Sequence, residues 1–126
     1  ERVQFELNNG NIRRRFNRVN STDPTDNTRL IASNIDALDF VYLDGNDPPN
    51  VIPTPVANAD LENIRAVQVT IVARSGDNVP VLARKVTDNT VYSNPQGDVV
   101  LDMSAAPDQF RRRMVTTTIK CRNMGL

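Results

Sequence analysis

The chain has 126 residues with 15 basic and 15 acidic side chains, no histidine, no tryptophan and a single cysteine. This length predicts one domain over residues 1–126. The balanced charge excludes the global field that would attract nucleic acid or an anionic membrane. The absence of histidine removes the commonest general base and metal ligand, and the glycines do not form a phosphate loop. We therefore predict that the protein is not an enzyme and carries no cofactor.

The first predicted element is a β-hairpin over residues 2–18. Val3, Phe5 and Leu7 alternate with polar residues, which is typical of a strand. Asn9 and Gly10 then form the Asn-Gly pair that most strongly indicates a tight hairpin turn. Alternation in the return strand places Arg13 and Arg15 on one face, and Ile12, Arg14 and Phe16 on the other. Because the chain opens inside a strand, we expect it to be a fragment or a processed product.

The middle of the chain is predicted to be loop-rich. Pro and Gly clusters mark its turns, and hydrophobic runs mark its strands. The predicted elements are a polar loop over 20–28, a run over 35–43 with a helical turn in its first half and a strand in its second, a turn over 44–50, an extended loop over 51–59 and a helical turn over 60–63. We expect Ser33 or Asn34 to act as an N-cap within this region.

The second half of the chain supplies the clearest strands. Residues 64–74 alternate, with Val67, Val69 and Ile71 on one face. Residues 113–122 are rich in β-branched side chains, which favour a pleated surface. Weaker strands are predicted around 79–86 and 99–101, with a turn at 94–97 between them and another at 106–109. The whole pattern predicts a mostly antiparallel β-sheet with long polar loops.

Two groups of charged residues are candidate sites. Asp44, Asn46 and Asp47 lie beside Gly45, and clustered oxygen ligands on such a loop suit Ca²⁺. The same residues are also ordinary turn formers, and that interpretation is favoured. A second group of basic residues could contact an acidic partner, although charge runs are usually solvated. This predicted partner interface consists of Arg111, Arg112, Arg113, Lys120 and Arg122.

Two segments resemble the C-terminal part of PilW-type minor pilins of type IV pili, which are related to minor pseudopilins of type II secretion. Residues 61–75 (LENIRAVQVTIVARS) are similar to an inner strand of that family, and residues 110–123 (FRRRMVTTTIKCRN) to its closing strand. Residues 35–44 and the hairpin around Asn9 also fit the family pattern, whereas residues 76–109 carry little of the resemblance.

The resemblance implies an α+β pilin-like head without its N-terminal apolar helix. Such a head would act by packing with other pilin subunits, either as part of a longer subunit or as a separate chain that docks on a helix-bearing partner. The implied location is an extracellular filament, or the periplasmic face of the inner membrane before assembly, with no membrane contact by this chain itself. A stand-alone β-sandwich adhesin, or a carbohydrate- or Ca²⁺-binding module of a surface protein, is the alternative.

Overall fold

The computed structural model describes residues 2–17, 27–76 and 87–121. Within these ranges the fold is mostly β, as predicted, and every paired strand is antiparallel. The strands are β1 (Arg2–Asn8), β2 (Asn11–Asn17), β3 (Asn27–Ala32), β4 (Ile35–Leu43), β5 (Val51–Ile52), β6 (Ala66–Arg74), β7 (Val91–Ser93), β8 (Val99–Asp102) and β9 (Arg112–Lys120). A short 3-10 helix over Asn58–Asn63 matches the predicted helical turn. No described helix is long and apolar enough to cross a membrane.

An N-terminal sheet contains the predicted hairpin. Strands β1 and β2 pair over their full length, and β3 adds to the other side of β2. The turn residues Asn9 and Gly10 have φ values of 48° and 72°. Positive φ at both central positions matches the right-handed twist of the flanking strands, which explains the Asn-Gly pair.

Strand β3 corrects the sequence interpretation of this region. Residues 27 and 28 were predicted to end a polar loop, yet Asn27–Ala32 is a strand. Its residues pair with β2, including Arg29 with Arg14. Pairing of residues 27–32 with the open edge of β2 outweighs their weak local preference for a loop. The helical turn predicted at the start of residues 35–43 is wrong as well, because that segment belongs to β4. The predicted N-cap is also wrong, because Asn34 has a φ of 58° and precedes a strand. Residues 18–26 of the predicted loop lie outside the described residues.

The central sheet has the strand order β5-β4-β6-β9. Strand β4 starts at Ile35, so the region predicted to be a strand only near its end is a strand throughout. The Ile35 N–H donates to the Gly10 carbonyl over 3.0 Å, which joins this sheet to the N-terminal hairpin. Strands β6 and β9 confirm the two clearest predicted strands, with nine residue pairs between Ala66–Lys120 and Arg74–Arg112.

A small β7–β8 hairpin forms a third sheet, which lies against the central one. Its turn, around Asn94 and Gly97, is at the predicted position. Strand β8 confirms the strand predicted at 99–101, whereas β7 was not predicted. The strand predicted over residues 79–86 lies outside the described residues.

The core lies between the central sheet and the segments packed on one of its faces. The fully buried residues of the sheet centre are Val72 and Thr70, both of β6. Other buried apolar residues among those described are Ile12, Ile35, Ala37, Val41, Leu43, Ile52 and Ile64. The core is thus small and includes polar members, so much of the apolar surface of the chain lies elsewhere.

Candidate interaction surfaces

The central sheet has one apolar face that nothing in the described chain buries. Cross-strand register aligns its residues in three rows. The rows are Leu38–Ile71–Val115, Phe40–Val69–Thr117 and Tyr42–Val67–Ile119. We call these nine residues the outer face. The six on β4 and β6 are half-buried and the three on β9 are exposed, with Val115 and Ile119 each 56% exposed.

The opposite, inner face is buried on β4 and β6 although it includes polar residues, whereas the inner-face residues of β9 beyond Arg112 are exposed. Gln68 and Thr70 are 6% and 0% exposed. The Gln68 side-chain amide exchanges two hydrogen bonds with that of Gln96, at 2.8 and 3.1 Å. The Thr70 hydroxyl lies 3.1 Å from the hydroxyl of Thr116. These contacts satisfy the polar groups that the inner face buries, which is the condition under which such burial is tolerated.

Sequence patterns alone did not identify the outer face as exposed. The alternation at Val67, Val69 and Ile71 was recognised, but an alternating apolar row normally marks the covered face of a sheet. The local sequence carries no signal for the difference, because Gln68 and Thr70 on the other face of β6 would ordinarily mark that face as the exposed one. Exposed contiguous apolar surface on a folded protein commonly marks an interaction site.

Arg112, one of the predicted interface residues, is instead an internal residue. Its side chain is 3% exposed and its guanidinium contacts three carboxylates. Nε donates to Asp36 over 2.7 Å, Nη1 donates to Asp88 over 3.1 Å, and Nη1 and Nη2 both donate to Asp108 over 2.6 Å. The bonds to Asp108, then those to Asp36 and Asp88, raise the pKa of Arg112 despite its burial. A guanidinium engaged in this way is not available to a partner, so we leave Arg112 out of the interface proposed below.

The remaining basic residues of the predicted interface do not form one patch. Arg113 and Lys120 are both exposed, but they lie on opposite faces of β9. Arg113 pairs with Ala73 and therefore continues the outer face beyond Val115. Arg111 is exposed just before the strand, and its N–H donates to the Ser75 hydroxyl over 3.3 Å. Arg122 lies outside the described residues.

The Asp44 loop closes on itself. One carboxylate oxygen of Asp44 accepts the backbone N–H groups of Asn46 and Asn50 at 3.0 and 2.8 Å. The other accepts their side-chain amides at 2.6 and 3.0 Å. These bonds, led by the one from the Asn50 backbone, lower the pKa of Asp44 to about 2. Among the described residues, no three His, Cys, Asp or Glu side chains form a group suited to a metal ion. The predicted turn is confirmed, and Ca²⁺ binding by Asp44, Asn46 and Asp47 stays a prediction.

Comparison with known families decides the identity of this β-rich head. A family model described as Type IV Pilus-assembly protein W (PilW) matches residues 7–123. The chain belongs to the PilW family. The match includes strands β6 and β9 and confirms their resemblance to this family. No curated protein and no solved structure matches the chain. PilW membership gives the chain a role related to type IV pilus assembly and a location in the cell envelope or pilus.

Proposed function

We propose that this PilW-family chain is a structural pilus subunit that packs an apolar helix on the outer face. The observation that carries the proposal is the contiguous apolar surface of β4, β6 and β9, half-buried on β4 and β6 and exposed on β9. A sheet with an apolar face is stable when a second layer covers that face. The chain would act by subunit packing, without catalysis, in an extracellular filament and at the periplasmic face of the inner membrane before assembly.

The dimensions of the outer face suit a single helix. Strands spaced ~4.8 Å apart separate β4 from β9 by about 10 Å, which is close to the diameter of an α-helix with its side chains. The rows from Leu38 to Tyr42 extend about 14 Å along the strand, a length spanned by about nine helical residues. Val115 and Ile119 would form one wall of the contact, and Leu38 and Tyr42 the other.

The helix has two potential sources. It is either a segment of the same subunit or part of a separate pilin chain on which this head docks. Both arrangements use the same face and the same apolar contacts. Arg111 and Arg113 near the outer face, and Lys120 on the opposite face of β9, would add lateral contacts with neighbouring pilin subunits. Rim charges of this kind mainly influence association rate and specificity.

The proposal is tested by substituting residues of the outer face in a bacterium that incorporates this chain into its pili. The variant V115K/I119K places two charges where a helix would pack. Both residues are more than half exposed, so the fold of the free chain should be retained. A matched control is V99K on β8, because Val99 is 58% exposed but lies away from the outer face.

We expect V115K/I119K to be lost from sheared pili in immunoblots while V99K is incorporated normally. Thermal unfolding of the purified variants checks that each retains the parental fold. Normal incorporation of V115K/I119K would contradict helix packing on this face. The combined variant R111A/R113A/K120A is expected to weaken incorporation without unfolding the chain, and unchanged incorporation would remove these residues from the interface.

A further inference from the structure

A second exposed surface lies on the N-terminal sheet and differs in chemistry from the outer face. Register places Phe5, Arg14 and Arg29 in one row across β1, β2 and β3. Val3 pairs with Phe16 on the same face. Leu7 pairs with Ile12, which is buried, so the exposed part of the face lies towards Val3, Phe5 and the arginines. We call this surface the N-terminal face. Val3, Phe5 and Leu7 are 46%, 51% and 36% exposed, so three apolar side chains there contact solvent.

Among the described residues, the charges on the N-terminal face are all positive. Arg14 and Arg29 are both exposed and directly opposite one another. The three strands contain five arginines and a single acidic residue, Glu6. Glu6 lies on the opposite face, where it pairs with Arg15 over 3.4 Å. Like charges directly across a sheet destabilise it unless an anion lies between them. A recess of about 490 Å³ lined by Arg14, Phe16, Thr28 and Arg29 provides space for such an anion.

We propose that the N-terminal face binds the surface of a bilayer that contains anionic phospholipid. Guanidinium groups bind phosphate with paired, charge-assisted hydrogen bonds. Phe and aliphatic side chains beside them insert at the boundary between headgroups and acyl chains, and basic residues add electrostatic attraction. The location of the PilW family in the cell envelope gives this face access to such a surface. The site is separate from the outer face and does not depend on a helix packing there.

The overall composition of the chain predicts no attraction to an anionic membrane. The net charge is zero, which gave no reason to expect attraction to anionic lipid. Attraction to a membrane falls off within about one Debye length, ~8–10 Å in physiological salt. The charge that matters is therefore the local charge of the N-terminal face, and the acidic residues of the central sheet contribute little there.

The test is co-sedimentation of the purified chain with phospholipid vesicles. One vesicle preparation is phosphatidylcholine alone, and the other contains about one third phosphatidylglycerol, enough to give a negative surface potential. The test variants are R14Q, R29Q and F5S, with R14K retaining the charge. The matched control is R13Q, which removes a charge from the neighbouring position on the opposite face of the same strand.

We expect binding to the anionic vesicles only, weakened by high salt. R14Q and R29Q should each reduce the partition coefficient about fivefold, because one basic residue near an anionic surface contributes roughly that factor. F5S should also reduce the partition coefficient, whereas R14K should retain most of it. R13Q should change the partition coefficient less than twofold. Circular dichroism and thermal unfolding identify any variant that does not fold. If R14Q does not fold, R29Q becomes the deciding variant.

Several results would overturn the proposal. These are no sedimentation with anionic vesicles, equal binding to phosphatidylcholine alone, and equal losses from R13Q and R14Q. Binding of poly-glutamate through Arg14 and Arg29 without binding to vesicles would likewise overturn it, since the partner would then be an acidic polypeptide. None of these results bears on pilus incorporation of V115K/I119K, so failure here and failure of the proposed function are distinguishable.

Discussion

Arg74 and Arg112 face each other across strands β6 and β9, and the carboxylate of Asp36 lies between them. Asp36 contacts Arg74 Nε at 3.5 Å and Arg112 Nε at 2.7 Å. The ring of Phe110 adds a cation–π contact, with the Arg74 guanidinium 4.1 Å from its centroid. Two like charges opposite one another in a sheet repel, so this end of the central sheet depends on its anion.

Neutralising that anion should therefore weaken the sheet. We expect D36N to lower the free energy of unfolding by about 2 kcal/mol, the size of a charge-assisted hydrogen bond, because Arg112 loses one of its three carboxylate partners and Arg74 loses its contact with Asp36. Urea denaturation of the purified chain measures the change. D47N, at an exposed loop position, is the control and should have little effect. A D36N variant as stable as D47N would mean that solvent already screens the arginine pair.

Removing the side chain of Arg112 should lower stability more than removing that of its neighbour Arg113. R112A leaves the carboxylates of Asp36, Asp88 and Asp108 close together without their common cation, and breaking a buried ionic cluster typically costs about 3–5 kcal/mol. R113A removes an exposed arginine from the next position and should change stability by no more than about 0.5 kcal/mol. Equal stability of the two variants in urea denaturation would contradict the internal role that the contacts give Arg112.

The same cluster predicts a loss of stability in acid. Burial alone would raise the pKa of Asp88, but the hydrogen bonds from Thr90, Tyr92 and Arg112 together lower it from 3.8 to about 2. The bonds from Arg112 likewise lower the pKa of Asp108. A depressed folded-state pKa gives stability that is complete above the unfolded value and is lost as pH falls through the folded value.

We therefore expect the urea midpoint to be constant above about pH 5 and to fall between about pH 4 and pH 2. In D88N this acid dependence should be shallower, because one of the depressed carboxyl groups is gone. It should not vanish, since the pKa values of Asp44 and Asp102 are also lowered by hydrogen bonds in their own turns. An unchanged slope in D88N would show that Asp88 does not contribute to the acid transition.

Local sequence patterns were sufficient to predict part of this fold. The Asn9–Gly10 hairpin could be predicted because its turn requires positive φ at two adjacent positions. Strands β6 and β9 could be predicted because their alternation is regular. The covered side of β6 could not, because alternation distinguishes two faces but not which of them another layer covers. The internal role of Arg112 could not be predicted either, since its partner Asp36 is 76 residues away in sequence.

Asn94 connects the small hairpin to the central sheet, and its loss should loosen that layer. Its side-chain oxygen accepts the N–H groups of Gln96 and Asp98 at 3.1 and 2.9 Å, and its amide donates to Asp39 over 3.0 Å. The residue is 6% exposed. N94A should therefore lower the free energy of unfolding by about 2–3 kcal/mol, since it leaves buried polar groups without partners.

The variant N94D separates the two roles of this side chain. Its carboxylate still accepts the two backbone N–H groups, but it places a second negative charge beside Asp39. We expect N94D to be less stable than the parent at neutral pH and to recover part of the difference near pH 4, where the two carboxyl groups can share a proton. If the stability difference between N94D and the parent does not depend on pH, positions 94 and 39 are not in direct contact.

The Asp44 loop provides a direct test of the predicted Ca²⁺ site. Four donors from Asn46 and Asn50 already occupy both carboxylate oxygens, so Ca²⁺ would have to displace bonds that hold the turn. A ligand that binds only the folded state raises its stability. We expect no rise in melting temperature on adding Ca²⁺, and no fall on adding a chelator. D44A should lower the melting temperature with or without Ca²⁺, whereas D47A should not. A rise with Ca²⁺ that D44A and D47A both abolish would instead establish a calcium site at this loop.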